Sequence, residues 1–221
     1  MDRMPGGLLD AVLPPACAAC GRPGALLCAR CQGALEPAGR ADDAFVAADP
    51  GAVVGGALTL AVAAFAYHGA LRGALGRLKY AGAARVAGPL AEAALPALHR
   101  LLAVSGPAPL VPVPLHRLRE RERGYNQAAL LGRELGRRAG LPVMELLMRA
   151  RTTTKQHRLD RAERLSNLRD AFVLAPKARI PSSVIVVDDI LTTSATLEAC
   201  AGVLRSAGVA HVYGFTVARE V

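Results

Sequence analysis

The feature that most narrows what this sequence can fold into is the stretch Val184-Ile185-Val186-Val187-Asp188-Asp189-Ile190-Leu191-Thr192-Thr193-Ser194-Ala195-Thr196-Leu197. Four consecutive β-branched residues with no polar residue among them suit a strand buried on both faces, as parallel sheets require. A strand over Val184 to Val187 delivers Asp188 and Asp189 at its carboxyl end, where open α/β sheets bind their ligands. Thr192 to Thr196 then supply a turn and the opening of a helix. The first N–H groups of a helix have no intrahelical partners and sit at its positive dipole end, so this turn is an anion site to which the hydroxyls of Thr192, Thr193, Ser194 and Thr196 add donors. A helix to about Ala207, a stop at Gly208 and a strand from His211 to Ala218 complete a strand, helix, strand unit. The fold class is therefore α/β, a parallel sheet flanked by helices. The plainer alternative for the motif is a Thr-capped helix behind two solvated aspartates.

Apolar residues make up 52% of the 221-residue chain and aromatics only 4%, with no Trp. The core must then be built from Ala, Val and Leu, which suits helices packed on such a sheet. The length accommodates one α/β domain over residues 50–221 and a small module over residues 10–40. Pro50 to Leu71 carries no formal charge over about the length a bilayer requires. Gly51, Gly55, Gly56 and Gly69 and its many Ala residues make it a poor membrane helix, and buried strands are expected there, with no membrane insertion. Met1 to Gly7 is short and broken by Pro and Gly, so no secretion leader is expected and the cytoplasm is the expected compartment.

Cys17, Cys20, Cys28 and Cys31 form two Cys-x2-Cys pairs separated by seven residues. A two-residue gap lets one tight turn aim two thiolates at one ion, and two such turns close a four-sulfur tetrahedral site suited to zinc. Two disulfides are the alternative; a reducing compartment favours the metal. Four thiolates leave no open position, so zinc here is structural rather than catalytic. Cys200 shares an apolar helical stripe with Leu197, Ala201 and Leu204 and reads as core.

The formal charge is +9. Between His116 and Arg169, 14 Arg or Lys face 6 Asp or Glu, a local balance of +8 that attracts phosphates or nucleic acid. A strand ended by proline, Leu110 to Pro114, leads into this segment, where Arg117, Arg119, Arg121 and Arg123 stand at alternate positions. A helix is expected from about Asn126 to Ala139, closed by Gly140 and Pro142. Arg149, Arg151, Thr152 to Thr154, Lys155, Gln156, Arg158, Arg161, Arg164 and Asn167 follow without a clean apolar period until Leu165, as in a loop. Each of these cations also has the plain reading of a solvated surface charge.

The acidic motif resembles the 5-phosphoribosyl-1-pyrophosphate (PRPP) motif of type I phosphoribosyltransferases, in which a hydrophobic strand leads to two acids and a Thr-Thr-Gly-x-Thr loop. The resemblance implies that Asp188 and Asp189 hold the ribose hydroxyls, directly or through magnesium, and that Thr192, Thr193, Ser194, Ala195 and Thr196 hold the 5-phosphate. Ser194 stands where that family has Gly; if the position needs a positive φ, Ser is strained there. Basic loop residues cover pyrophosphate in such enzymes, which makes Lys155 a candidate for that catalytic role and Lys79, Arg121 and Arg123 candidates for the same anion.

The whole arrangement resembles the ComF family of phosphoribosyltransferase-like competence proteins. Its pieces are the cysteine knuckle, Tyr67-His68-Gly69 before Leu78-Lys79-Tyr80, Pro112-Val113-Pro114, Arg123-Gly124-Tyr125-Asn126-Gln127, Lys155-Gln156 with Arg164 and Asn167, and the acidic motif. Two functions follow as expectations. One is binding of PRPP with magnesium and transfer of its ribosyl phosphate to a nitrogen nucleophile, with pyrophosphate released. The other is a non-catalytic accessory role in DNA uptake, in which the basic segment grips single-stranded DNA beside uptake proteins. Tyr80 and Tyr125 are the aromatics available for base stacking. No pocket for a particular base is readable in the sequence.

Overall fold

The computed structural model describes residues 14–38, 45–46, 56–80, 83–150 and 171–220. In chain order its helices and strands are α1 (Ala29–Gly33), β1 (Phe45–Val46), β2 (Leu60–Ala66), α2 (Gly69–Lys79), α3 (Ala87–Ser105), β3 (Leu110–Pro112), α4 (Arg117–Arg123), α5 (Gln127–Ala139), β4 (Leu147–Arg149), β5 (Phe172–Leu174), β6 (Ser183–Leu191), α6 (Ala195–Ser206) and β7 (His211–Arg219). The main sheet has the order β1-β2-β7-β6-β3. Strands β2, β7, β6 and β3 are mutually parallel and β1 lies antiparallel on the outer edge. Strands β4 and β5 form a separate antiparallel pair.

Alternate residues of a strand face opposite sides of its sheet, and the core divides accordingly. Ile185 and Val187 of β6 join Val62, Phe215 and Val217 on one face, beneath Leu71, Leu75 and Leu78 of α2, the apolar stripe of α3, and Leu131 and Leu135 of α5. Val184 and Val186 join Ala61 and Val212 on the other face, beneath Leu197, Cys200, Ala201 and Leu204 of α6 and Leu147 and Phe172 of the β4–β5 pair. Cys200 is core, as its stripe implied. The described part of the uncharged segment after Pro50 includes β2, a buried strand. Among the described residues no helix is long and apolar enough to cross a membrane.

One local expectation is corrected, and one helix stands where none was assigned. The strand containing the acids does not end at Val187: it continues to Leu191, because β7 pairs with it through Asp188↔Thr216, Ile190↔Ala218 and Leu191↔Arg219. Asp188 and Asp189 therefore belong to β6 itself. On the other side, β3 pairs only with Ile185, Val186 and Val187, so the acids stand just past the end of their shorter neighbour. The Arg-rich run after Pro114, to which the sequence reading assigned no element, is helix α4. It is capped by His116, whose Nδ1 accepts the Leu118 N–H at 3.3 Å, and closed by Gly124 at φ 80°. Glycine is needed at that left-handed position.

Chain direction then locates the crevice. After β3 the chain builds α5, whose Leu131 and Leu135 pack on one face, whereas after β6 it builds α6 on the other. Connections that leave adjacent parallel strands toward opposite faces mark a topological switch point, and the gap opens at the carboxyl ends of those strands. Here that gap lies between Pro112–Pro114 and Asp188–Asp189.

Candidate functional site

Asp189 is 5% exposed, and its Oδ2 lies 2.8 Å from Nζ of Lys79, the last residue of α2. The pair is an ion pair; among the described residues no correctly angled hydrogen bond reaches that oxygen. Asp188 is half-buried, and its Oδ1 accepts the Asp189 backbone N–H at 2.8 Å. Burial pushes the Asp188 carboxyl well above the usual carboxylate range and the Asp189 charge raises it further, while the Asp189 N–H and the Lys79 ammonium act against both. Arg149, on β4, is close enough to interact with Asp188. Burial and the neighbouring Arg119 lower the pKa of Arg149, Asp188 raises it, and its guanidinium lies 5.1 Å from the Phe172 ring centre.

The turn after β6 runs as the motif implied. Thr192 and Thr193 are exposed, Thr196 is half-buried, and Ser194 and Ala195 are buried at the start of α6. Ser194 adopts φ −62° and ψ −2°, so the strain that a positive φ would impose does not arise. Its Oγ is buried, makes no cap hydrogen bond and has no hydrogen-bond partner among the described residues. A buried hydroxyl left unpaired costs free energy, and the first turn of a helix attracts an anion to which that hydroxyl could donate.

A second group of residues borders the acids. Lys79, Tyr80, Arg119, Glu122 and Arg123 line a pocket of about 390 Å³. Arg123 Nη1 donates to Oε1 of buried Gln127 at 2.9 Å, and its guanidinium carbon lies 5.6 Å from the centre of the Tyr80 ring. The Tyr125 hydroxyl donates to the Leu78 carbonyl at 2.8 Å, tying the end of α2 to the start of α5. A larger recess of about 560 Å³ runs from Pro112 and Pro114 past Arg117 and Asn126 to Arg149.

The structure thus brings Lys79, Arg123, Asp188 and Asp189 into one neighbourhood. Arg121 is exposed on α4 and lines neither cavity. Lys155, with Thr152 to Thr154, Gln156, Arg164 and Asn167, lies outside the described residues. Sequence reasoning did not assign Arg119, Arg149 or Gln127. Arg119 could have been found as the residue one helical turn before Arg123; Arg149 carried no local signal, because it reaches the site through pairing with Phe172.

At the other end of the described chain, the four knuckle sulfurs lie within 4.8 Å of one another, and Cys20 Sγ is 3.8 Å from Cys28 Sγ. Zinc–sulfur bonds of about 2.3 Å in a tetrahedron put the sulfurs about 3.8 Å apart. All four cysteines are free thiols rather than disulfides, and they can hold a zinc ion. Burial pushes the Cys17 thiol up, but the backbone N–H groups of Cys28, Cys20 and Ala19 outweigh it and bring Cys17 to about 6. Burial and the other three thiols push Cys31 up to about 12. A thiolate already favoured at Cys17 is a ready first ligand for a cation.

No protein-family model matches the chain. It is 38% identical to competence protein F of Haemophilus influenzae over 116 residues, which make up 51% of this chain and 51% of that protein. It is 37% identical to competence protein ComFC of Bacillus subtilis over 112 residues, 50% of this chain and 44% of that protein. Against the DNA utilization protein YhgH of Escherichia coli it is 32% identical over 149 residues, 66% of this chain and 65% of that protein. The chain spans about half the length of the two competence proteins it matches. Relatives of both names align to the chain at these identities, which supports the ComF family for it.

Proposed function

We propose that this chain binds PRPP with magnesium in the crevice between β3 and β6, and that it does so in the cytoplasm in support of DNA uptake. The observation that carries the reading is the order of groups along one short piece of backbone. Two carboxylates on β6 are followed, within one turn, by the N-terminus of α6 and a buried, unpartnered Ser194 hydroxyl. A ribose with adjacent hydroxyls and a 5-phosphate is a ligand that would use both parts at once. The names of the relatives support the setting in DNA uptake.

The acid pair suits magnesium, a hard cation that takes one or two carboxylates together with substrate phosphates. Asp188 is the carboxylate for it, since Asp189 already faces Lys79. Bound with PRPP, magnesium would neutralise charge on the leaving pyrophosphate. Transfer would break the bond from ribose C1 to the pyrophosphate oxygen, the oxygen keeping the electron pair; a nitrogen would then bond to C1 and lose its proton. In that step Asp188 and Asp189 orient the ribose, Thr192 to Thr196 fix the phosphate, and Lys79, Arg123 and Arg149 are the described cations near developing negative charge. Lys155 and Arg121 remain proposed contacts for the same anion. The four cysteines would carry structural zinc, in a small module over residues 10–40.

Titration calorimetry of PRPP with magnesium into the purified protein tests the reading, alongside an Asp188→Asn, Asp189→Asn double variant. Saturable binding that the variant loses is expected. Absence of binding in the zinc-loaded wild type would overturn it. The accessory reading, favoured by the exposed Arg117, Arg119 and Arg121 of α4, would then be taken up with single-stranded DNA. Its mark is an affinity that falls steeply with salt and is unchanged in the double variant.

A further inference from the structure

We propose that Cys20 and Cys28 form an oxidation site, where a peroxide links the two thiols in a reversible disulfide and the knuckle gives up its zinc. The site is independent of the phosphoribosyl reading and needs no ligand at β6. Its basis is that the four sulfurs are not equivalent. Cys17 and Cys31 are 0% and 6% exposed and share a core with Leu71, Leu75 and Leu78 of α2. Cys20 is exposed and Cys28 is half-buried, with their sulfurs 3.8 Å apart. A small oxidant in water therefore meets Cys20 first and finds Cys28 beside it. Exposed Arg22 and Arg30 each stand two residues after one member of the pair, and cations of this kind favour a reactive thiolate. Glu36 is the one acid among residues 14–38, and its carboxylate lies 3.2 Å from His68 Nε2.

The chemistry takes two steps. The Cys20 thiolate attacks one oxygen of hydrogen peroxide and the O–O bond breaks, which leaves a sulfenic acid on Cys20 and releases hydroxide. The Cys28 thiolate then attacks the Cys20 sulfur and displaces a second hydroxide. The two thiolates together lose two electrons in forming the S–S bond, and the peroxide takes up both as it becomes two hydroxides. The sulfurs close from 3.8 Å to the about 2 Å of a disulfide. Cys17 and Cys31 then remain as thiolates, and two sulfurs do not complete the four-ligand set of a structural zinc. A thiol reductant restores all four.

The change reaches α2. Ala18 and Ala19 lie between Cys17 and Cys20, and a Cβ on Gly73 would stand 3.3 Å from the Ala19 carbonyl oxygen. Arg77 donates to the Cys17 carbonyl at 3.3 Å. Drawing Cys20 toward Cys28 therefore pulls on the loop that rests against α2, the helix that ends at Lys79.

The test adds hydrogen peroxide to the zinc-loaded full chain beside a chromogenic zinc indicator. Disulfides are mapped by alkylation and peptide mass spectrometry, and amide hydrogen exchange is followed over α2. The wild type serves throughout, because replacing any one of the four cysteines disturbs the metal centre by itself. One zinc released and one disulfide formed per chain are expected, with the disulfide joining Cys20 to Cys28. Exchange in α2 should quicken on oxidation, and dithiothreitol should restore zinc binding. Zinc retained after peroxide, a disulfide made instead at Cys17 or Cys31, or binding that dithiothreitol does not restore overturns the site. Unchanged exchange in α2 overturns the transmission to that helix and leaves the oxidation site standing.

Discussion

Asp188 makes the stability of the protein sensitive to pH in an unusual direction. Its carboxyl is raised in the folded chain, first by burial and then by Asp189. The folded state therefore holds its proton more tightly than the unfolded state, and stability falls as pH rises from about 4 through the folded value. Urea midpoints measured across acid and neutral pH should show this decline in the wild type, and Asp188→Asn should flatten it. A decline equally steep in Asp188→Asn would show that another group is responsible. Lys79→Ala tests the neighbouring carboxylate. Removing the ammonium leaves a buried charge without its counterion, at a cost of about 3 kcal/mol, and Asp189→Asn introduced on top should recover part of that loss. Both acids were legible in the sequence because they follow four β-branched residues. Their partner at Lys79 was not, because α2 meets β6 only through the tertiary fold.

Elements were legible where their ends carry chemistry. The α5 helix was readable from Asn126 and Gly140, and the structure gives both their cap roles: Asn126 Oδ1 accepts from the Ala128 and Ala129 N–H groups, and Gly140 has φ 68°. Asn126 also donates to the Val113 carbonyl at 2.9 Å, so the cap fixes the chain where β3 ends at the crevice. Asn126→Ala should cost about 1 kcal/mol in urea unfolding. The α4 helix was missed because Arg at every second residue has no helical apolar period; its His116 and Gly124 caps were the available signal. The full length of β6 was missed because its last residues are strand only through pairing with β7, which no local pattern contains. Packing was equally hidden at Gly136. A Cβ there would meet the Leu141 carbonyl oxygen at 2.7 Å and Val143 Cγ2 at 2.8 Å, so Gly136→Ala is expected to cost about 1 to 3 kcal/mol by forcing α5 off the backbone beside β3.

At the scale of the molecule, the cysteine knuckle is packed against the α/β fold. Cys17, Ala18, Leu27 and Cys31 share a buried cluster with Leu71, Leu75 and Leu78, and Arg77 donates to the Cys17 carbonyl at 3.3 Å. A Cβ on Gly73 would lie 3.3 Å from the Ala19 carbonyl oxygen, which shows how closely α2 approaches the knuckle. Stripping zinc with a chelator should therefore lower the Tm of the whole chain, observable by calorimetry as one shifted transition. An unshifted main transition beside a separate knuckle melt would contradict this. The spacing of the cysteines made the metal centre legible, but not its attachment to the helix that ends at Lys79. Cys200, on the buried face of α6, has a further experimental use. It is fully buried, and burial holds its thiol well above the ordinary range, so it is nearly inert toward a colorimetric thiol reagent. In the folded protein such a reagent counts only the knuckle: four equivalents should appear on chelation and the fifth on denaturation, giving a spectrophotometric record of metal release that no engineered probe is needed to obtain.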